Sequence, residues 1–304
     1  MLDDLPHVWK AIKPKPSIKG HHLREPSLDW VNSLLKTCLQ SHNTCPSTRV
    51  SRLPRRVLAF HASPEGHVVV KLLEDVQGRG QYAALSHCWG EQQTCITTKD
   101  TLEQRKTRIA WEHIPQTFQD SIVYWLKLGI HHLWIDALCI LQDDVEDWQS
   151  ESAKMADIYQ NSYITLAATV AKDSNVGCWT TTEETSPEYE LSAVPESFPR
   201  VLVRERLYHW TDPLTDASMS RYPLISRGWV FQERILSPRI LHFCGQELVW
   251  ECGGLTACEC GCIDPKRSIK QQFVSATSRH RRKSWVGRTG TEDIFRHQKV
   301  GVFD

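Results

Sequence analysis

An α/β fold, with a parallel sheet flanked by helices, is predicted by three features of this sequence. Short, dense apolar runs at YAALSHC (82–88), HHLWIDALCI (131–140) and SYITLAATVA (162–171) have the length and composition of buried strands. Segments with helical periodicity lie between them, at 115–128 and 147–160, so strand and helix alternate. With 304 residues, the chain is long enough to bury the core such a sheet needs.

In chain order, residues 1–26 are rich in Lys, His and Pro and lack periodicity, which predicts a disordered arm. Ser27 is placed to cap a helix over 28–40 that turns Trp30, Leu34 and Leu35 to one face. RVLAFHASPEGHVVVKLLE (56–74) reads as a hairpin around a Ser-Pro-Glu-Gly turn. The 115–128 helix points Phe118, Ile122, Trp125 and Leu126 inward and ends at Gly129. Residues 173–222 form a long insertion, with PRVLVRERLYHW adding a strand at its end. A short helix over 226–236 stops at Ser237-Pro238, and RILHFCGQELVWEC is a C-terminal β-hairpin turning at Gly245-Gln246. The folded domain therefore spans 27–262, with core segments 82–90, 133–169 and 226–252. Residues 263–304 are a basic, weakly ordered tail.

Lys+Arg and Asp+Glu both total 36, so no global charge draws the chain to nucleic acid or to an anionic membrane. The basic stretch SRHRRKSW (278–285) is read as a solvated tail. No run approaches the roughly 20 apolar residues needed to span a bilayer. The opening MLDDLPHVWKAIKPKP has no apolar segment of a signal peptide. Eleven cysteines, an odd number, are scattered mostly through apolar segments and read as reduced thiols of a cytoplasmic protein.

Ligands of parallel sheets sit at the carboxyl ends of the strands. Ser86, His87, Trp89 and Gly90 fall at the end of one such strand, where they supply a hydroxyl, an imidazole, a stacking ring and a flexible backbone. The plain alternative is a strand-end turn with a packed Trp. His87 and Cys88 are adjacent on a strand and point to opposite faces, which argues against a base–nucleophile pair. Asp136 interrupts the apolar run 133–141, points toward the same crevice, and as a buried carboxylate needs donors or a ligand. Gln142 follows it. Asp143, Asp144, Glu146 and Asp147 suit a helix N-terminus.

Glu151 lies within the apolar arc of the 147–160 helix, one turn from Trp148 and from Met155. It reads either as an acid/base or charge-stabilising carboxylate or as a stripe-margin Glu paired with an Arg. In ISRGWVFQERILSPRIL, Gln232 and Glu233 share the Trp229–Leu236 face. The plain reading of Glu233 is an ion pair with Arg227, Arg234 or Arg239, and the alternative is a pocket-lining role.

Together, YAALSHCWG, LWIDALCILQDDVEDWQSESAKMADIYQNSYITLAAT, and RGWVFQERILSPRIL with ELVWEC resemble the heterokaryon incompatibility (HET) domain of filamentous fungi. His87 stands where that family often has Tyr, and Ala137 where it often has Ser. The resemblance implies nonself recognition ending in programmed cell death. It also implies a distant likeness to TIR domains and their flavodoxin-like parallel sheet. Trp148-Gln-Ser-Glu151 is similar to the W-C-x-x-E of enzymatic TIR domains, though one residue shorter. That likeness puts Glu151 in the catalytic role for cleaving the nicotinamide–ribose bond of NAD. Ser86, His87, Trp89, Gly90, Asp136, Gln142, Trp148, Arg227, Trp229, Gln232 and Glu233 are then the substrate-binding set. NAD is a substrate in this reading, since GxGxxG and GxxxxGK[ST] are both missing. The competing reading is a non-catalytic module for self-association or partner recruitment. Homo-oligomers or other incompatibility proteins are the partners expected in either case.

Two cysteine groups stand apart, Cys38/His42/Cys45 and Cys252/Cys258/Cys260/Cys262. The plain reading is reduced thiols with no metal or cofactor. The alternative is a structural zinc site, favoured if the N-terminal helix packs beside the final hairpin.

Overall fold

The computed structural model describes residues 15–16, 23, 25–47, 50–91, 95–179, 189–190, 202–210, 221–264 and 268–284. At its centre are four parallel strands: β5 (Ala83–Ser86), β6 (His132–Trp134), β7 (Ile164–Ala167) and β10 (Arg239–Phe243). The first lies between the second and third, and the fourth is outermost. In sequence order this is 2-1-3-4, the flavodoxin-like arrangement. Every residue of β5, β7 and β10 is buried, as expected for a sheet covered on both faces.

Antiparallel strands extend both edges of this core. On one side β2 (Arg56–Ala62) pairs with β6 and then with β3 (Val68–Glu74), the predicted hairpin. On the other, β10 turns into β11 (Leu248–Cys252), which pairs with β12 (Thr256–Cys258). The result is a mixed sheet of eight strands. Two small pairs lie outside it, β1 (Ser51–Arg52) with β4 (Arg79–Gly80), and β8 (Tyr189–Glu190) with β9 (Leu202–Val203).

Helix α1 (Glu25–Ser41) begins before its expected start, so Ser27 sits inside it and donates to Glu259 Oε1 (2.6 Å) rather than capping. Its buried face carries Val31, Leu35 and Cys38, while Trp30 and Leu34 are only partly covered. After α2 (Lys99–Thr107), helix α3 (Gln116–Lys127) buries Phe118, Ile122, Tyr124 and Trp125 under the sheet. Large rings fill the core, with Trp125, Trp134, Trp250, Tyr82 and Phe243 essentially inaccessible.

Three local expectations are corrected. The run 131–140 is not one strand: β6 ends at Trp134, and Asp136–Cys139 coils into one helical turn, α4. The 147–160 helix is two helices, α5 (Val145–Ser152) and α6 (Met155–Asn161), broken at Ala153-Lys154. Part of the basic tail forms α8 (Ile269–Ser284), which packs on α7 (Gly228–Leu236) and β11. Buried Lys270 donates to the Arg234 carbonyl of α7 (2.6 Å), so the start of α8 is tied to the core. Most of the predicted arm and insertion, and residues beyond 284, lie outside the described residues. Among the described residues no helix is long and apolar enough to cross a membrane.

Candidate active-site cleft

The cleft opens at the carboxyl ends of β5 and β6, the end of the sheet at which parallel α/β folds accommodate ligands. Its volume is about 860 Å³. One wall is the turn after β5, the floor is α4, and α5–α6 and α7 supply the remaining sides.

Asp136 anchors the floor. Its Oδ2 accepts from Trp89 Nε1 (2.7 Å) and its Oδ1 from the Ala137 N–H (2.8 Å). The donors expected for a half-buried carboxylate are therefore present. His87 Nδ1 stands 3.8 Å from Asp136 Oδ1. Burial pushes the His87 pKa down, Asp136 pulls it up and Arg227 again lowers it, with a net fall, so the ring is neutral at pH 7. His87 stacks toward Trp89 and meets the edge of Phe118, which fixes both rings. Gly90 has φ +74°, and a Cβ there would lie 2.4 Å from the Asp173 Cβ, so this turn requires glycine. Gln142 holds the far end of α4 through the Asp136 and Ile140 carbonyls (3.2 and 3.1 Å).

Glu233 is the unusual group. The plain expectation of an ion pair is overturned: Arg234 is taken by Glu251 (2.6 and 2.7 Å), and Arg239 binds Cys38 and the Tyr163 carbonyl. Arg227 lies near enough to act on Glu233 through charge, but no salt bridge forms among the described residues. The residue as a whole is partly exposed, yet its Oε2 is sealed from water and makes no hydrogen bond of proper geometry. The hydroxyl of Ser86, at the end of β5, is likewise buried and unpartnered by that criterion. Burial pushes the Glu233 carboxyl up to about 7, against the pull of the Ser86 and Tyr159 hydroxyls and Arg227 and with a further push from Asp136. Perturbation of this kind, by desolvation plus a nearby acid, clusters at functional sites.

The rim is aromatic. Trp148 of α5 and Trp229 of α7 line the cleft while remaining 51% and 71% exposed, so their faces are free to stack. Arg227, at the start of α7, adds an exposed cation, and Gln232 an amide. Ser86 abuts Glu233 behind this wall.

Glu151 is elsewhere. It is buried, its Oε1 accepts from Lys154 Nζ (2.8 Å), and it lines a separate groove with Arg52, Arg55, Tyr82 and Ile158. The fold therefore lines one cleft with ten of the other eleven candidate residues, keeps Ser86 buried behind them, and leaves out the candidate catalytic acid. Position around the helix explains why. Trp148 and Ser152 on α5 face the cleft together with Met155 and Tyr159 on α6, while Glu151, at the margin of that stripe, turns with Ile158 to the far side. Tyr159 joins the site as a residue the candidate set lacks, and its place on the same helical face as Trp148, Ser152 and Met155 is the sequence signal for it.

As expected of helix-start acids, Asp144 caps α5 by accepting from the Glu146 and Asp147 N–H groups, and Asp147 stands in the first turn. Asp147 is also clamped by Arg56 Nη2 (2.6 Å) and Nη1 (2.8 Å), and accepts from the Leu141 N–H (2.9 Å). This fork fixes the start of α5, and hence Trp148, against β2.

The sheet and cleft define an α/β protein with a candidate ligand cleft at the carboxyl ends of its parallel strands. Residues 82–233, half of the chain, match the heterokaryon incompatibility protein (HET) family, and the chain belongs to that family. Neither a curated protein nor a solved structure matches it. The match begins at the strand bearing Ser86 and ends at Glu233, so it takes in every residue that lines the cleft except Leu236.

Proposed function

We propose that this heterokaryon incompatibility protein acts by cleaving the nicotinamide–ribose bond of NAD in the Trp89–Glu233 cleft, as a death effector of nonself recognition. The observation that carries this reading is Glu233: a desolvated carboxyl, raised to about 7, beside exposed Trp148 and Trp229. Breaking the C1′–N bond leaves positive charge on the ribose as neutral nicotinamide departs. A carboxylate in a dry cleft opposes that charge with far more force than one in water. Water then adds at C1′ and loses its proton. Trp229 or Trp148 is suited to stack on the planar base, and Arg227 to meet the pyrophosphate. Glu233, rather than Glu151, takes the catalytic role in this reading.

The test is NAD consumption by purified full chain, with nicotinamide release measured directly. Wild type is expected to consume NAD, Glu233→Gln to lose at least about a hundredfold in rate, and Glu151→Gln to stay near wild type. Loss confined to Glu151→Gln would return the catalytic role to that residue. No NAD loss by a folded wild type at any concentration would overturn the enzymatic reading. A second, non-catalytic reading as a self-association module draws on the exposure of Trp229, Phe231 and Val145 on neighbouring helices. Concentration-dependent sedimentation without NAD loss would favour it.

A further inference from the structure

We infer that Cys38, His42, Cys45 and Cys252 form a structural zinc site that fastens the N-terminal helix to the C-terminal hairpin. The four ligand atoms all lie within 4.8 Å of one another. His42 Nδ1 is 3.3 Å from Cys252 Sγ and 3.9 Å from Cys45 Sγ. A tetrahedral zinc with ordinary Zn–S and Zn–N bonds sets that nitrogen–sulfur edge at about 3.6 Å, between these two distances. The thiols come from three places: the last turns of α1, the loop beyond it, and the end of β11, 210 residues from His42. No pair among them is a disulfide.

The surroundings suit a metal centre. Three thiolates and one Zn²⁺ leave a net negative charge, and the buried Arg239 guanidinium donates from Nε to Cys38 Sγ (3.2 Å). The turn after Cys252 is Gly253-Gly254, and a Cβ at Gly254 would lie 2.6 Å from the His42 ring, so the chain is bare where the imidazole must seat. Ordinary core cysteines need neither a converging imidazole nor a guanidinium.

A second group rests on a different observation. His209, Glu247, Cys258 and Cys260 also bring their ligand atoms within 4.8 Å of one another, and all four are buried. Here the backbone N–H groups of Cys262 and Ile263 both donate to Cys258 Sγ, each at 3.2 Å. Two amides on one sulfur are the support that a metal-bound thiolate receives. Cys260 Sγ lies 3.3 Å from Cys258 Sγ and 3.6 Å from His209 Nε2. We infer a second zinc there, held by mixed Cys₂HisGlu ligands. Cys262, grouped with these by spacing, is partly exposed and is not one of the four.

The experiment is elemental analysis of the full chain, purified without chelators after expression in zinc-supplemented medium. Two zinc equivalents are expected in wild type, one in Cys252→Ser and one in Cys260→Ser, with two retained in Cys244→Ser. Wild type is also refolded with Co²⁺, which needs no variant to fold. Thiolate-to-cobalt charge transfer and intense tetrahedral ligand-field bands are the expected signature. A wild type holding one equivalent upholds whichever site its variant empties and overturns the other. Folded wild type with no zinc and no cobalt spectrum overturns both.

Discussion

The carboxyl of Glu233 makes the cleft and the stability of the protein interdependent. Its pKa is raised from an ordinary 4.5 to about 7 by burial, against the weaker pull of Ser86. The folded chain then keeps a proton that the unfolded chain has already released. Stability therefore falls as pH climbs from 4.5 to about 7, and the full penalty, at most about 3 kcal/mol, remains above that. Glu233→Gln is expected to raise the urea midpoint relative to wild type at pH 8 and to show little difference at pH 4.5. An equal effect at both pH values would mean the carboxyl is not desolvated. The same substitution is the one expected to abolish turnover, so a gain in stability accompanied by loss of activity is the joint signature. In the sequence this residue read first as an ion pair, because three arginines lie within six positions of it. Arg234 and Arg239 instead found partners on β11, α1 and the chain near Tyr163, contacts that no local pattern encodes.

At the scale of elements, the Arg56–Asp147 fork sets where α5 begins and where Trp148 points. Burial pushes the Asp147 carboxyl up, but Arg56, the Leu141 N–H and Arg55 outweigh it, and the net shift is downward. The pair therefore stabilises the fold above the ordinary carboxyl range and is lost as pH falls through the lowered value. Asp147→Asn leaves the Arg56 guanidinium buried beside a neutral group and is expected to destabilise by about 3 kcal/mol, measured by urea at pH 7. A change under about 1 kcal/mol would mean that Glu74, which also binds Arg56 at 2.9 Å, suffices as its counter-ion. The elements themselves were largely legible: the β2–β3 hairpin, α3, β7 and the β10–β11 hairpin fall where apolar period and turn residues put them. The break at Ala153-Lys154 was not, since neither residue opposes helix. Glu151 lies at the margin of the Trp148–Tyr159 stripe, and the packing turns that margin away from the cleft, where Glu151 meets Lys154.

Across the whole molecule, one buried network joins α7, α8 and the C-terminal strands. Arg234 binds Glu251 of β11, His242 Nε2 lies 3.1 Å from the same carboxylate, and Lys270 caps the carbonyl of Arg234. Burial pushes Glu251 up, but Arg234 and His242 hold it well below the carboxylate range. Its contribution is therefore present above pH 4.5 and drains away as pH falls below that value. Arg234→Met strands Glu251 in the core and is expected to cost about 3–5 kcal/mol, read from urea unfolding. The double variant Arg234→Met/Glu251→Leu is expected to recover much of the loss; failure to recover would show that packing, not charge, dominates here.

Apolar spacing and turn chemistry along the chain were enough to announce a parallel α/β sheet and its flanking hairpins, and the resemblance of three motifs announced the family. They also marked the strand ends and α7 face that meet at the cleft, because such positions follow from period and chain direction alone. Which carboxylate is sealed from water, and which is neutralised by a lysine one turn away, depended on how the helices packed and which distant groups claimed the arginines. Desolvation and ion pairing act through space, between residues far apart in the chain, so only the folded arrangement could assign Glu233 to the cleft and Glu151 to its far side.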